Sequence, residues 1–288
     1  MPAARLLPVL LLGLLLVAGC SPNRLVVRGA MPLMAGGIEA MNRETDLDFA
    51  RAALPANLKM LEGMLASDPD NRRLLLYAAQ GFYGYSFAFL EQDAPRRARA
   101  MYQRCFDYGR RALALSGLGP DPRRVPMDGL RRALAGLGRG AVPALFWTAS
   151  CWAKVIDLSR TEPARIADLG RTAALMRRVL QLDEGFYHAG PHLFFAVYYG
   201  SRSRLLGGDP ERARRHFDRA RELTGHRLLL VDVLEARYLD RQILDRARFH
   251  RLLTGVLARS VPRDGLAFAN RLAQRDARRL LAREAAWF

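Results

Sequence analysis

Gly207-Gly208-Asp209-Pro210-Glu211-Arg212-Ala213-Arg214-Arg215-His216-Phe217-Asp218-Arg219-Ala220-Arg221-Glu222-Leu223-Thr224-Gly225 is the stretch that decides the fold. The paired glycines stop one helix and Asp209 supplies a capping carboxylate for the next. Pro210 takes the first helical position, where a missing N–H costs nothing. Ala213, Phe217 and Ala220 fall at i, i+4 and i+7, which is one helical face. Small residues there let a neighbouring helix approach, and the aromatic ring fills the gap. A face of this kind requires a second helix packed against it.

Working outward, the same punctuation recurs. Leu65-Ala66-Ser67-Asp68-Pro69 ends one segment, and Arg177-Arg178-Val179-Leu180-Gln181-Leu182-Asp183-Glu184 closes another. Helices are expected from about Asp48 to Ser67 around Pro55, Arg72 to Glu91, Pro95 to Ser116, Pro143 to Arg160, and Glu162-Pro163 to Leu182. Further ones run from 186 to 206, from Pro210 to Thr224, and over 227–243, 245–258 and 264–285. A Gly- and Pro-rich connection over 117–142 carries a short helix at Met127 to Leu137. No strand-like alternation of useful length interrupts them. Small–aromatic–small spacing resembles that of tetratricopeptide (TPR) helices. The expected fold is all-α, with degenerate TPR-like helix pairs forming a compact curved domain over 46–288.

The first nineteen residues read as a signal peptide, with Arg5 followed by an apolar run that ends in Val17-Ala18-Gly19-Cys20. That order resembles a lipobox, so Cys20 is the expected lipidation site and membrane anchor. Residues 20–45 are read as a lipidated N-terminus and tether. No later segment reaches about 18 consecutive apolar residues. Export to the periplasm changes the meaning of the charge, which is +17 with a pI near 10.9. Nucleic acid is excluded as a partner by compartment, and the basic residues are scattered, as on a solvated face. Cys105 and Cys151 lie in apolar helices. An oxidising compartment allows a bond between them, but two buried free thiols are the expected state.

Several stretches together resemble one family, the T component of the tripartite ATP-independent periplasmic (TRAP) transporters. They include Leu75-Leu76-Tyr77-Ala78-Ala79-Gln80-Gly81-Phe82, Gly84-Tyr85-Ser86-Phe87-Ala88-Phe89-Leu90-Glu91 and Leu145-Phe146-Trp147-Thr148-Ala149. Tyr198-Tyr199-Gly200-Ser201-Arg202, Leu206-Gly207-Gly208-Asp209-Pro210-Glu211-Arg212-Ala213 and Ala269-Asn270-Arg271-Leu272-Ala273-Gln274-Arg275 follow in order. The resemblance implies a helical, trimer-forming protein that associates with the periplasmic substrate-binding subunit. It also implies a cleft in each protomer for a small apolar ligand, and no catalytic residues or cofactor. Cys105 departs from the family pattern.

Three aromatic helices are candidates for that cleft, against the alternative that they pack the core. Tyr85 stands in the first, Trp147 in the second, and His192, Phe195, Tyr199 and Arg202 step by three, four and three along the third. A buried arginine needs a partner, so this strip reads best as a cleft wall, with the aromatics on an apolar ligand body and Arg202 or His192 at its polar end. His188 and His192 share the i, i+4 relation without a third ligand, so no metal site is expected. Ser150 and Lys154 have dyad spacing, but no Gly-rich elbow surrounds Ser150, and Asp157 is a candidate ion partner for Lys154. Gly81, Gly84 and Ala88 make a small-residue face for close helix contact. A general TPR-like envelope scaffold is the alternative function.

Overall fold

The computed structural model describes residues 22–119, 121–159, 162, 165 and 167–288. The signal peptide, the lipobox and Cys20 lie outside these residues. The chain is all-helical, with thirteen α-helices among the described residues. They are α1 (Pro22–Gly29), α2 (Met31–Asn42), α3 (Leu47–Ser67), α4 (Arg72–Phe89), α5 (Pro95–Leu113), α6 (Met127–Ala135) and α7 (Val142–Asp157). The others are α8 (Leu169–Leu182), α9 (Phe186–Gly200), α10 (Pro210–Leu223), α11 (Leu230–Glu235), α12 (Arg246–Ala258) and α13 (Ala267–Leu281).

Local chemistry sets most of the boundaries. Asp46 accepts the backbone N–H groups of Asp48 and Phe49 at 2.9 and 3.0 Å and so starts α3. Asn71 caps α4 through the Leu74 N–H at 3.2 Å, and Asp209 caps α10 through the Arg212 N–H at 3.0 Å. Pro55 is accommodated inside α3. Several expected bounds shift; the helix expected over 227–243 is α-helical over Leu230–Glu235 and continues as a π-helical turn at Ala236–Asp240, and the one expected over 264–285 spans Ala267–Leu281. The helix expected to open at Glu162-Pro163 begins at Leu169 as described, its proposed start lying partly outside the described residues. The helix expected to reach 206 ends at Gly200, and Arg204–Leu206 form a separate 3₁₀ turn.

Consecutive helices pack as pairs, α4 on α5, α5 on α7, α7 on α8, α9 on α10 and α12 on α13. The core follows the chain in segments. The largest apolar cluster gathers residues from α1 to α9 and reaches Leu272 in α13. Ala213, Phe217 and Ala220 are fully buried in a second cluster with Val231 and Leu239, and α12 and α13 close a third around Phe249 and Leu253. Serial cores shared between neighbours are what stacked helix pairs produce. Of the two glycines on the small-residue face of α4, only Gly81 stands at a close approach, while Ala88 is buried in the core. A Cβ on Gly81 would meet Leu58 Cδ2 at 2.7 Å, whereas Gly84 has nothing within 4 Å.

Two sequence-based expectations are corrected. The stretch read as a tether is helical from Pro22 to Asn42, broken only at Ala30. It is held by tertiary contacts: Val27 and Met31 are buried, and Arg24 and Arg28 reach the buried Asp68 at 3.8 and 3.3 Å. Cys105 and Cys151 are joined as a disulfide between α5 and α7, not two free thiols, with Cα atoms 5.7 Å apart. The reason lies one turn away, at Gly109. A Cβ there would stand 3.0 Å from the Thr148 backbone nitrogen, so the glycine lets the helices approach to the span a disulfide needs.

Candidate functional site

Burial of Ala213, Phe217 and Ala220 turns the adjacent face of α10 outward. Arg212, Arg215, His216 and Arg219 share that face at helical spacing. Opposite it, α9 presents His192, Phe195 and Tyr199. Between the two helices lies an open pocket of about 360 Å³, lined by His192, Tyr199, Arg212, Arg215 and His216.

One wall is aromatic. The rings of Phe195, Tyr199 and His216 lie nearly parallel, with centroids 5.5 to 6.0 Å apart and interplanar angles of 15 to 26°. The Arg212 guanidinium sits 5.7 Å from the Tyr199 ring centroid. Behind the pocket runs a hydrogen-bonded chain. His192 Nδ1 is 3.0 Å from His216 Nδ1, and His192 Nε2 is 3.0 Å from Glu184 Oε2. Arg219 donates to both oxygens of Glu184, at 2.6 and 3.2 Å. The bonds from Arg219 and His192 hold the Glu184 carboxyl down at about 2. Burial, then the neighbouring His192, Arg215 and Arg212, push His216 down to about 4. Burial also lowers His192, although Glu184 opposes it. Both imidazoles are therefore neutral at neutral pH. His192 Nε2–H then donates to Glu184, and His216 Nδ1–H donates to His192 Nδ1.

The structure brings together only part of the expected set. His192 and Tyr199 line the pocket and Phe195 packs behind Tyr199. Arg202 does not join them. Its Nε donates to the Tyr198 carbonyl at 2.9 Å and its guanidinium lies 3.8 Å above the Tyr198 ring. Because α9 has ended at Gly200, the step from Tyr199 to Arg202 is no longer helical, and the arginine caps the helix end. Tyr85 is buried and packs on Phe89 at 5.8 Å. Trp147 is buried against Tyr187, Phe146 and Tyr83, at 4.7, 5.0 and 5.6 Å. Neither lines this pocket.

His188 and His192 do not share a helical face either. Tyr187, His188 and Ala189 take left-handed φ values of 47, 58 and 58° inside the first turn of α9, so the i, i+4 relation is lost. Left-handed non-glycine residues cost about 1–3 kcal/mol each, and the Tyr187 ring wedged against Trp147 and Phe146 opposes their relaxation. Among the described residues no group of three His, Cys, Asp or Glu is placed to hold a metal. Lys154 is engaged away from Ser150. Its Nζ donates to Glu91 at 2.9 Å, and Glu91 also accepts the Tyr102 hydroxyl at 2.7 Å.

His216, Arg212 and Arg215 belong to the site and were not singled out in the sequence. Their signal was the basic stripe flanking the buried Ala213–Phe217–Ala220 face. Fold and site together define a class, an all-α helix-pair domain with an open pocket whose rim is basic and whose wall is aromatic. The sequence pattern described as TRAP transporter T-component matches residues 43–288, and the chain belongs to that family. No curated protein matches it. Membership gives the chain an accessory role in a TRAP transporter. No helix among the described residues is long and apolar enough to cross a membrane.

Proposed function

We propose that this chain is a lipid-anchored periplasmic component of a TRAP system that binds the substrate-binding subunit and holds a small amphipathic ligand between α9 and α10. The family match over 43–288 carries the transport role. The pocket lined by His192 and Tyr199 supports the ligand. Assembly as a homotrimer follows from the family resemblance and belongs to the same proposal.

Anchoring through Cys20 rests on the lipobox and draws support from the adjoining surface. Helix α1 starts two residues after Cys20. Leu25, Val26 and Leu33 are 72, 72 and 80 % exposed, and Gly29, Pro32, Gly36 and Gly37 continue their stripe. An uncharged stripe beside a lipidation signal suits a face that meets the bilayer. Cys20→Ser is expected to release the protein into the soluble periplasmic fraction and to remove the mass of the lipid. Unchanged membrane fractionation and mass would contradict the anchor.

Partner binding is tested by affinity capture of the tagged full chain from detergent-solubilised membranes. A TRAP substrate-binding protein is expected in the eluate, confirmed by mass spectrometry. Repeated recovery of envelope-assembly factors in its place would favour a scaffold role.

A further inference from the structure

Three helix ends meet at one edge of the C-terminal half. Gly200 closes α9, and a Cβ there would stand 3.4 Å from Leu239 Cβ in the π-helical turn that prolongs α11. The chain leaves these two ends through neighbouring connections, 201–208 and 241–244. The segment after α13 joins them, because the Arg241 guanidinium lies 4.1 Å from the Trp287 ring centroid and that of Arg283 lies 4.9 Å from it. Both connections hold apolar tips outward: Leu205 and Leu206 are 98 and 70 % exposed, and Leu244 is 68 % exposed. Their turns are closed by hydrogen bonds, from the Gly208 N–H to the Ser203 carbonyl at 2.9 Å and from the Ile243 N–H to the Leu239 carbonyl at 3.0 Å. Fixed backbone therefore displays the leucines. The acidic groups at this edge are spent. Asp209 and Asp245 cap α10 and α12, and Glu284 holds Arg246 and His250. Arg204, Arg241 and Arg283 meet no carboxylate among the described residues, and burial, then Arg283 and Arg237, push Arg241 below the ordinary guanidinium value.

We infer that this edge is a docking surface for an anionic phospholipid bilayer, with Leu205, Leu244 and Trp287 entering the headgroup layer and Arg204, Arg241 and Arg283 meeting lipid phosphates. The contact is separate from the α1 stripe and does not depend on a lipid at Cys20. Three arginines without counter-charge complement an anionic surface, and a guanidinium matches a phosphate with several donors at once. Tryptophan and arginine both suit the membrane interface, one with an apolar body and a polar tip, the other with an apolar stem under a charged head. A protein interface is built on a contiguous buried core whose anchors fill pockets. Here the apolar side chains stand as separate tips on successive connections. A fluid bilayer accepts such tips at any lateral register, and several shallow insertions together with charge give the binding that one alone does not.

The test uses the Cys20→Ser full chain, co-sedimented with vesicles of phosphatidylcholine alone or mixed equally with phosphatidylglycerol. The mixed vesicles are expected to bind it at least about tenfold more tightly. Replacing Arg204, Arg241 and Arg283 together with Gln is expected to weaken that binding about a hundredfold, at roughly one guanidinium contact per arginine. Leu205→Ser with Leu244→Ser is expected to weaken it about tenfold and to leave the melting temperature unchanged, because both side chains are exposed. Replacing Arg96, Arg97 and Arg139 with Gln removes the same charge elsewhere and should leave binding close to that of the parent. Brominated phosphatidylcholine should quench an emission that Trp287→Phe removes, since Trp147 and Trp152 are buried. Equal binding to both vesicle types, or none to either, would overturn the inference. An equal loss from the distant arginines would reduce it to net charge and overturn the edge. Edge variants that keep vesicle binding but lose capture of the substrate-binding protein would make the edge a protein interface instead.

Discussion

Glu91→Ala is expected to destabilise the folded domain by about 3–5 kcal/mol, the cost of leaving an unpaired buried charge. Glu91 is a buried carboxylate between the Lys154 ammonium at 2.9 Å, the Tyr102 hydroxyl at 2.7 Å and Arg237 at 3.5 Å. Lys154 has little water to turn to. It lies 5.2 Å from the Phe87 ring centroid and 5.9 Å from that of Tyr238. Urea denaturation of the variant beside the parent measures the loss. A Glu91→Gln/Lys154→Met double variant removes both charges and is expected to recover most of it. If it recovers nothing, packing rather than charge explains the effect.

The same pair sets an acid limit. Burial pushes the Glu91 carboxyl up, but Lys154, Arg237 and the Tyr102 hydrogen bond outweigh it and leave it below the ordinary carboxylate range. A carboxylate depressed by folding contributes stability above its unfolded value of about 4.3, and that contribution is lost as pH falls through the lower folded value. Lys154 is raised despite burial, chiefly by Glu91, so its contribution persists below about 10.4 and is lost only in strong alkali. Urea midpoints of the parent should therefore drop below about pH 4. The double variant should lose less over that interval.

Replacing both Cys105 and Cys151 with alanine is expected to cost about 4 kcal/mol, from the entropy of closing a loop of this length in the unfolded chain. The sequence separation is 46. For a domain of this size that corresponds to a fall in melting temperature of roughly 8–16 °C. Calorimetric melts of the oxidised parent, the reduced parent and the double variant provide the measurement. The reduced parent should fall close to the variant. A parent insensitive to reductant would contradict the bond.

How far the molecule could be read from its sequence depended on how local each cause was. The helix start at Asp209 was legible because a cap is written within three residues of the group it satisfies. The buried face of Ala213, Phe217 and Ala220 was legible for the same reason. The N-terminal helices were not. Pro32, Gly36 and Gly37 argue against a helix, and what forms it is docking of Val27 and Met31 with ion pairs to a distant Asp68. The disulfide depended on how α5 and α7 cross, which no spacing records. At the site, the His192–Tyr199 strip was legible as one side of one helix. Its partners came from another helix, where Arg215 and His216 looked like part of a solvated basic face, and Arg202 was lost because the helix stopped two residues short of it.

Helices α1 and α2 are docked on the body by Val27, Met31 and the Asp68 ion pairs, and Ser21 alone separates them from Cys20. Under the proposed lipidation of Cys20, the leash between lipid and helix would span only a few ångströms, at about 3.3–3.6 Å per residue. A long flexible linker would let the domain sweep a hemisphere above the membrane. With the proposed anchor in place, the domain would diffuse laterally in two dimensions close to one height. A soluble partner would have to come down to it, and a membrane-embedded one would meet it at the raised effective concentration that shared confinement supplies.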